Sequence, residues 1–356
     1  MLAHSATVRP LTIGVLGTSS FAGRRMVPAL HGCPDIRLGA VAGRDAARAE
    51  RTAAAWGCSF HASHEELLAR PDVDAVYVPL PNSLHAAWVR RALQSGKHVL
   101  AEKPLTTDPH ATAELFDLAA DSGLVLRENY AFEHHVRHRT ARDLVAQGCI
   151  GQIRHFSSSF CIPPLLADDI RYRADLGGGA LLDAGVYPIR AAQYFLGDDL
   201  TVAGGVLRWD SHHGVDVGGS ALLRRADGVT AVLTFGFQHR YGAEYEVWGS
   251  AGRLGTERAF AVGPTEVPTL RVEDGDGTRR TELDAQDQYL AGLAAFAAAV
   301  RVTEESGADP DHDVTAARAR RTAELAAEIA RMARAASGER EPGQVGSGRA
   351  VDRWRS

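Results

Sequence analysis

From Leu11 onward, short apolar runs alternate with longer stretches in which apolar positions recur every three or four residues. Residues 11–16, 36–42, 74–80, 97–101 and 124–126 read as strands, and the stretches between them as helices. A chain that repeats strand, helix, strand builds a parallel sheet, because each crossover helix returns the chain to the same edge. The punctuation agrees. Ser63 and Glu66 have capping-box spacing, Asp108-Pro109 opens a helix, and Gly96 and Gly123 close two others. Residues 1–128 are predicted to form one doubly wound α/β unit of the Rossmann type.

After a further helix ending near Gly148 the strand-like segments lengthen, at 150–162, 201–209, 215–225, 229–238 and 245–248. Asp227-Gly228 is a hairpin signal between two of them. Tight turns between consecutive strands predict a large, mostly antiparallel sheet, interrupted by one helix over 178–196. Residues 129–336 are therefore predicted to be an α+β domain. Two Ala-rich segments, 286–300 and 314–336, are helices able to pack on either domain, and 337–356 is expected to be a disordered tail.

The chain has 356 residues, 45% of them hydrophobic, which suffices for two cores. A formal net charge of -5 gives no basic footprint for nucleic acid or an anionic membrane, so the expected partner is a small molecule. Cys33, Cys58, Cys149 and Cys161 form no CxxC pair, which argues against a metal site and a disulfide framework and fits a reducing cytoplasm. The first ten residues lack the apolar core of a signal peptide, and no run has the length of a membrane span. Among 39 basic residues only Lys97 and Lys103 are lysines. A lysine kept in an arginine background offers a compact charge that a guanidinium does not.

The first strand runs into Gly17-Thr18-Ser19-Ser20-Phe21-Ala22 and a helical stretch, the context a dinucleotide fingerprint needs. Gly17 makes the tight turn, Ala22 lets helix and strand pack closely, and N–H groups at the helix start face a pyrophosphate. Ser19 stands where the fingerprint has its central glycine. The second strand ends Val41-Ala42-Gly43-Arg44, with no carboxylate to bond a ribose hydroxyl and an arginine placed for a 2'-phosphate, so the cofactor is expected to be NADP(H) rather than NAD.

The third strand leads through Pro79, Leu80 and Pro81 into Asn82 and His85, and the fourth into Glu102-Lys103-Pro104. Both turns lie at the carboxyl edge of the sheet, where open parallel sheets bind their ligands. Gly177-Gly178-Gly179 precedes Asp183, Tyr187 and Arg190, whose spacings of four and three set them on one helical face. Leu181, Leu182, Val186 and Ile189 are expected to be buried, and Pro188 to kink the helix beside Tyr187.

With Gly14 to Gly17, Phe21-Ala22, Asp74 to Val78, Pro81-Asn82, His85, Gly96 to Val99, Glu102 to Leu105, and the glycine run followed by Asp183, Gly185 and Tyr187, the chain resembles the glucose-fructose oxidoreductase, inositol dehydrogenase and MocA family from Leu11 to about Ala336. Many members carry histidine at Tyr187 and aspartate at Arg190, which sets this chain apart from the inositol dehydrogenases. The tyrosine resembles two branches, nucleotide-sugar 3-ketoreductases and dihydrodiol or xylose dehydrogenases. Residues 160–164 and 169–175 are similar to the first.

The resemblance implies NADPH-dependent reduction of the C3 keto group of a dTDP-linked 3,4-diketo-2,6-dideoxyhexose. Tyr187 and Lys103 are the expected catalytic pair, with either assignment of proton donor open. Lys103 is expected to favour the tyrosinate. Asp183, Arg171 and Arg173 are expected to bind substrate, the arginines through the diphosphate. The cofactor is expected to lie on Gly17 to Ala22, Arg44, Pro79, Leu80, Asn82, His85, Glu102 and Lys103. A homo-oligomer is implied as well, with Leu222, Val232 and Leu233 as core or interface. The rivals are a diol or aldose dehydrogenase and a non-catalytic NADP-sensing regulator.

Overall fold

Central strands of a parallel sheet are covered on both faces, and every residue of β1 (Leu11–Leu16) is buried. A computed structural model describes residues 9–337; the remainder of the predicted tail, 338–356, lies outside the described residues. With β2 (Ile36–Ala42), β3 (Ser59–His61), β4 (Ala75–Val78), β5 (His98–Ala101) and β6 (Leu126–Glu128), β1 forms a six-stranded sheet in the order β3-β2-β1-β4-β5-β6. Every pairing in it is parallel. The order reverses beside β1, so the turns after β1, β4 and β5 open on one crevice at the carboxyl edge.

The crossover helices are α1 (Val27–Gly32), α2 (Ala46–Trp56), α3 (His64–Leu68), α4 (Asn82–Gln94) and α5 (Pro109–Asp121). Their ends follow local chemistry. Ser63 caps α3 by accepting the Glu66 N–H while Glu66 accepts that of Ala62, and Asp108 caps α5 ahead of Pro109. The first of these helices differs from expectation, because Ala22–Met26 is a π-helical turn that passes into α1.

Beyond α6 (Val136–Ala146) lies an eight-stranded sheet built from β7 (Ile153–Cys161), β8 (Thr201–Asp210), β9 (Val215–Arg224), β10 (Thr230–Gly236), β11 (Gly242–Gly249), β12 (Gly252–Thr256), β13 (Thr269–Asp274) and β14 (Gly277–Glu282). The order is β14-β13-β12-β11-β7-β10-β9-β8, antiparallel except where β7 meets β10. Asp227-Gly228 makes the β9–β10 turn, with Gly228 at φ 90°. One face packs on α7 (Val186–Leu196), which continues a π-helical turn at Leu181–Gly185. The other face is open. Strand alternation separates three residues whose roles the sequence left undecided: Leu233 is in the core, whereas Leu222 and Val232 are cross-strand partners exposed on the open face.

The last two helices return to the first domain. In α8 (Gln288–Ser306), Leu293, Phe296, Ala297 and Val300 join the core formed by β1, β2 and α1. In α9 (His312–Ser337), Ala319 packs on the opposite face of the parallel sheet, while Leu325 and Ile329 pack in the second core. The two cores are therefore not two contiguous stretches of chain. Among the described residues no helix is long and apolar enough to cross a membrane, no acid, His and Cys cluster could hold a metal ion, and the four cysteines are free.

Candidate active site

The turns at the carboxyl edge of the parallel sheet face the start of α7 across a cleft of about 260 Å³. The first domain lines it with Ser19, Phe21, Pro79, Leu80, Asn82, His85, Glu102 and Lys103, the second with Arg171, Gly177, Gly178, Asp183 and Tyr187. Gly177 closes the clasp between the domains. It sits at φ 74°, a Cβ there would come within 3.0 Å of the Asn82 Cβ and the Ser83 nitrogen, and its carbonyl accepts from Asn82 Nδ2 at 2.9 Å.

Lys103 follows β5 and is buried. Its ammonium donates to the Asp183 carboxylate and to the Asp183 carbonyl, each at 2.8 Å. That carbonyl lies in the π-helical turn, and the residue five positions on, where a π-type bond would originate, is Pro188, which has no N–H. An ammonium has three N–H groups, and with two given to Asp183 the third remains for an oxygen in the cleft. The same ammonium lies 5.0 Å from the centroid of the Tyr187 ring. Tyr130, Phe132, Phe160 and Phe260 pack around that ring.

Asp183 also accepts from Arg171 Nε at 2.7 Å. Burial alone would raise its pKa, but the charges and hydrogen bonds of Lys103 and Arg171 outweigh burial and hold the carboxyl well below the ordinary range. Tyr187 behaves oppositely. Burial, with Tyr289, Glu102 and Asp183 adding to it, pushes the phenol well above its usual value, with Arg171 opposing. Lys103, beside the ring, is itself paired with Asp183.

The other predicted residues fall into three groups. Gly17, Thr18, Ser19, Ser20, Phe21 and Ala22 form the turn after β1, where Gly17 has φ 119° and a Cβ would reach to 3.0 Å from Leu80. His85 is sealed, with Nδ1 2.7 Å from the Pro104 carbonyl and Nε2 2.7 Å from that of Leu80, so it braces the turns after β4 and β5. Burial, with the charge of Lys103, lowers its pKa. Glu102 receives Tyr77 Oη and Asn129 Nδ2, each at 2.7 Å, and burial raises its pKa.

Two expectations change. Arg173 is exposed, pairs with Asp175 and is not among the residues lining the cleft. Arg190 does not line the cleft with Asp183 and Tyr187; it is buried against Glu133 at 2.9 Å and Thr322 at 3.0 Å.

Arg44 is exposed at the end of β2. Asp45 beside it caps α2 by accepting the Arg48 N–H. Arg48 itself was not foreseen; its guanidinium donates to the Thr18 carbonyl at 2.8 Å, so two arginines border the turn after β1. A glycine turn, a following helix start and two guanidiniums fit a dinucleotide with an additional phosphate. Tyr289, at the Asp287-capped start of α8, also lines the cleft and was missed, since a lone aromatic in an Ala-rich helix reads as core.

A six-stranded parallel sheet that presents a lysine and a nucleotide turn to a tyrosine from a separate domain defines a two-domain dinucleotide-dependent oxidoreductase. The models of the oxidoreductase family with an NAD-binding Rossmann fold and of its C-terminal domain, together GFO/IDH/MocA, match residues 11–130 and 138–255, and the chain belongs to that family. It is 53% identical over 299 residues to dTDP-3,4-didehydro-2,6-dideoxy-alpha-D-glucose 3-reductase of Streptomyces violaceoruber, covering 84% of this chain and 87% of the relative. It is 38% identical over 312 residues to D-xylose 1-dehydrogenase (NADP(+)) 2 of Haloferax volcanii, covering 86% and 94%. Among solved structures it is similar to KijD10, a 3-ketoreductase from Actinomadura kijaniata in complex with NADP and TDP-benzene. The TM-score is 0.87 with 46% identity, over 91% of this chain and 98% of that one.

Proposed function

We propose that this chain reduces the C3 keto group of a dTDP-linked 3,4-diketo-2,6-dideoxyhexose with NADPH, in the cytoplasm, as a step of deoxysugar biosynthesis. The observation that carries the reading is the convergence of the Lys103 ammonium and the Tyr187 ring, 5.0 Å apart, on one interdomain cleft at the carboxyl edge of the sheet. The relatives that share the whole two-domain arrangement at 53% and 46% identity are 3-ketoreductases.

Residues of the turn after β1 would hold NADPH, which would supply the hydride. Gly17 to Ala22, with Arg44 and Arg48, hold its phosphates, and Pro79, Leu80 and Phe21 shape the cleft. As the C3 carbonyl becomes an alcohol, Tyr187 donates its phenolic proton to the carbonyl oxygen and is reprotonated from solvent. The free N–H of Lys103 stabilises the negative charge on that oxygen, a contribution of a few kcal/mol in a water-poor site. Asp183 fixes Lys103 and Arg171 and so acts on the substrate through them. Arg171 is the nearer candidate for the diphosphate; Arg173 would have to leave Asp175 to reach it.

The test is turnover of NADPH against a panel of a dTDP-3-keto sugar, a free aldose and a trans-dihydrodiol. Activity confined to the nucleotide sugar, with NADPH preferred over NADH and the preference reduced in Arg44→Ala, is the expected result. Oxidation of the free aldose or diol at higher kcat/KM identifies a dehydrogenase of the other branch, and tight NADP binding without turnover identifies a sensor.

A further inference from the structure

The two catalytic groups come from different domains, so something must hold the Lys103 turn and the Tyr187 helix in register. Glu128, the last residue of β6, lies between them. Its Oε1 accepts the N–H of Leu105 at 2.8 Å, two residues beyond Lys103. Its Oε2 is buried without a hydrogen-bond partner and lies 3.8 Å from Arg190 Nη1, three residues beyond Tyr187. The side chains of Glu128 and Arg190 are each only 3% exposed. Arg190 is anchored on its other sides by Glu133 and Thr322 and lies over the Tyr130 ring, which itself packs edge-on to Tyr187.

We propose that Glu128 is a positioning residue for the hydride-transfer reaction: its carboxylate ties the Lys103 turn, through the Leu105 N–H, to the Tyr187 helix, through Arg190. This rests on the roles given above to Lys103 and Tyr187. A carboxylate holds both connections, whereas a neutral carboxyl loses its attraction for the Arg190 guanidinium.

Glu128 is poised to change between these forms near neutrality. Burial pushes its carboxyl up to about 7, against the opposing influence of Arg190 and the Leu105 N–H, with Glu133 raising it further and Lys103 lowering it. Arg190 acts from α7, Lys103 and Leu105 from the turn after β5, and Glu133 from the segment ahead of α6, where Tyr130 also faces Glu128. It also lines a cavity of about 400 Å³ behind the cleft, shared with Asp216 of β9 and with Thr322 and Arg334 of α9, large enough for water to exchange its proton. The linkage has one sign. Deprotonation builds the connection, so turnover rises with pH through the Glu128 titration and falls below it.

The experiment measures kcat and KM for NADPH and a dTDP-3-keto sugar between about pH 5 and 9, in wild type, Glu128→Gln and Arg190→Gln. NADPH binding and thermal unfolding are followed in parallel. Glu128→Gln keeps an acceptor for the Leu105 N–H but no charge for Arg190. The expected result is a plateau kcat lowered by roughly 10- to 100-fold, as for a displaced reacting group, with KM little changed and the acidic limb of the profile abolished. Arg190→Gln reads the same connection from the other side. Without the guanidinium, deprotonation of Glu128 builds no connection, so the acidic limb is expected to be lost here as well and kcat to stay low across the range.

A limb that persists in Glu128→Gln or in Arg190→Gln overturns the proposal, as does a wild-type profile without such a limb. Failure of the underlying reading looks different: Tyr187→Phe and Lys103→Ala would then turn over at near wild-type rates at every pH, whatever Glu128 does.

Discussion

A phenol is a poor acid in water, and the surroundings of Tyr187 make it poorer, because burial and neighbouring Tyr289, Glu102 and Asp183 oppose the tyrosinate. Raised in this way, the phenol is fully protonated at working pH. The rate of keto-sugar reduction is therefore expected to show no alkaline loss between neutrality and about pH 9, measured as NADPH oxidation at saturating substrate. Asp183 is the opposite case. Its folded pKa lies below its unfolded value, so its stabilisation is complete above the ordinary carboxylate range and is lost as pH falls through and below it. Asp183→Asn, which leaves Lys103 and Arg171 without their shared anion, is expected to lower stability by about 3 to 5 kcal/mol at pH 7 in urea unfolding, with the gap narrowing on acidification. Lys103 and Tyr187 were legible in the sequence because each sits in a motif whose placement is set locally, after a strand or on a helix. The task of Asp183 was not, since the ammonium it holds lies 80 residues away and spacing along α7 says nothing about that partner.

At the scale of elements, legibility followed burial. Strands β1, β2, β4 and β5 are apolar runs because they are covered on both faces, and that pattern is visible in one dimension. β14 is exposed at every position and β13 buries only Leu270 and Val272, so neither carries an alternation strong enough to read, and both went unpredicted. The π-helical turn at Leu181–Gly185 has no sequence signal of its own, yet it changes the register of Asp183 relative to the residues of α7 that follow it. The glycine run before this turn allows close backbone approach between the domains. Gly177→Ala forces a side chain into a left-handed conformation and against Asn82 and Ser83. It is expected to cost about 1 to 3 kcal/mol in thermal or urea unfolding and to lower kcat for the nucleotide sugar, since it loosens the clasp that keeps Lys103 and Tyr187 in register across the interface.

For the whole molecule, the eight-stranded sheet buries one face on α7 and α9 and leaves the other open, with Val206, Leu222, Val232 and Trp248 exposed on its strands. Such a face fits a second copy of the chain. Should the homo-oligomer implied by the family resemblance form through this face, Val232→Asp is expected to lower the sedimenting mass of the protein, measured by analytical ultracentrifugation, whereas an unchanged mass places the contact elsewhere. In the proposed reaction catalysis depends on the domain interface itself, because Lys103 and Tyr187 line the cleft from opposite sides of it. A single-turnover measurement of NADPH oxidation by wild type, Lys103→Ala, Tyr187→Phe and the double variant, with a dTDP-3-keto sugar, tests that most directly. Two groups acting on one carbonyl oxygen should each cost roughly 10² to 10⁴ in rate, and the double variant should be little slower than the worse single one. Full multiplication of the two losses, or near wild-type turnover in either single variant, would contradict a shared site.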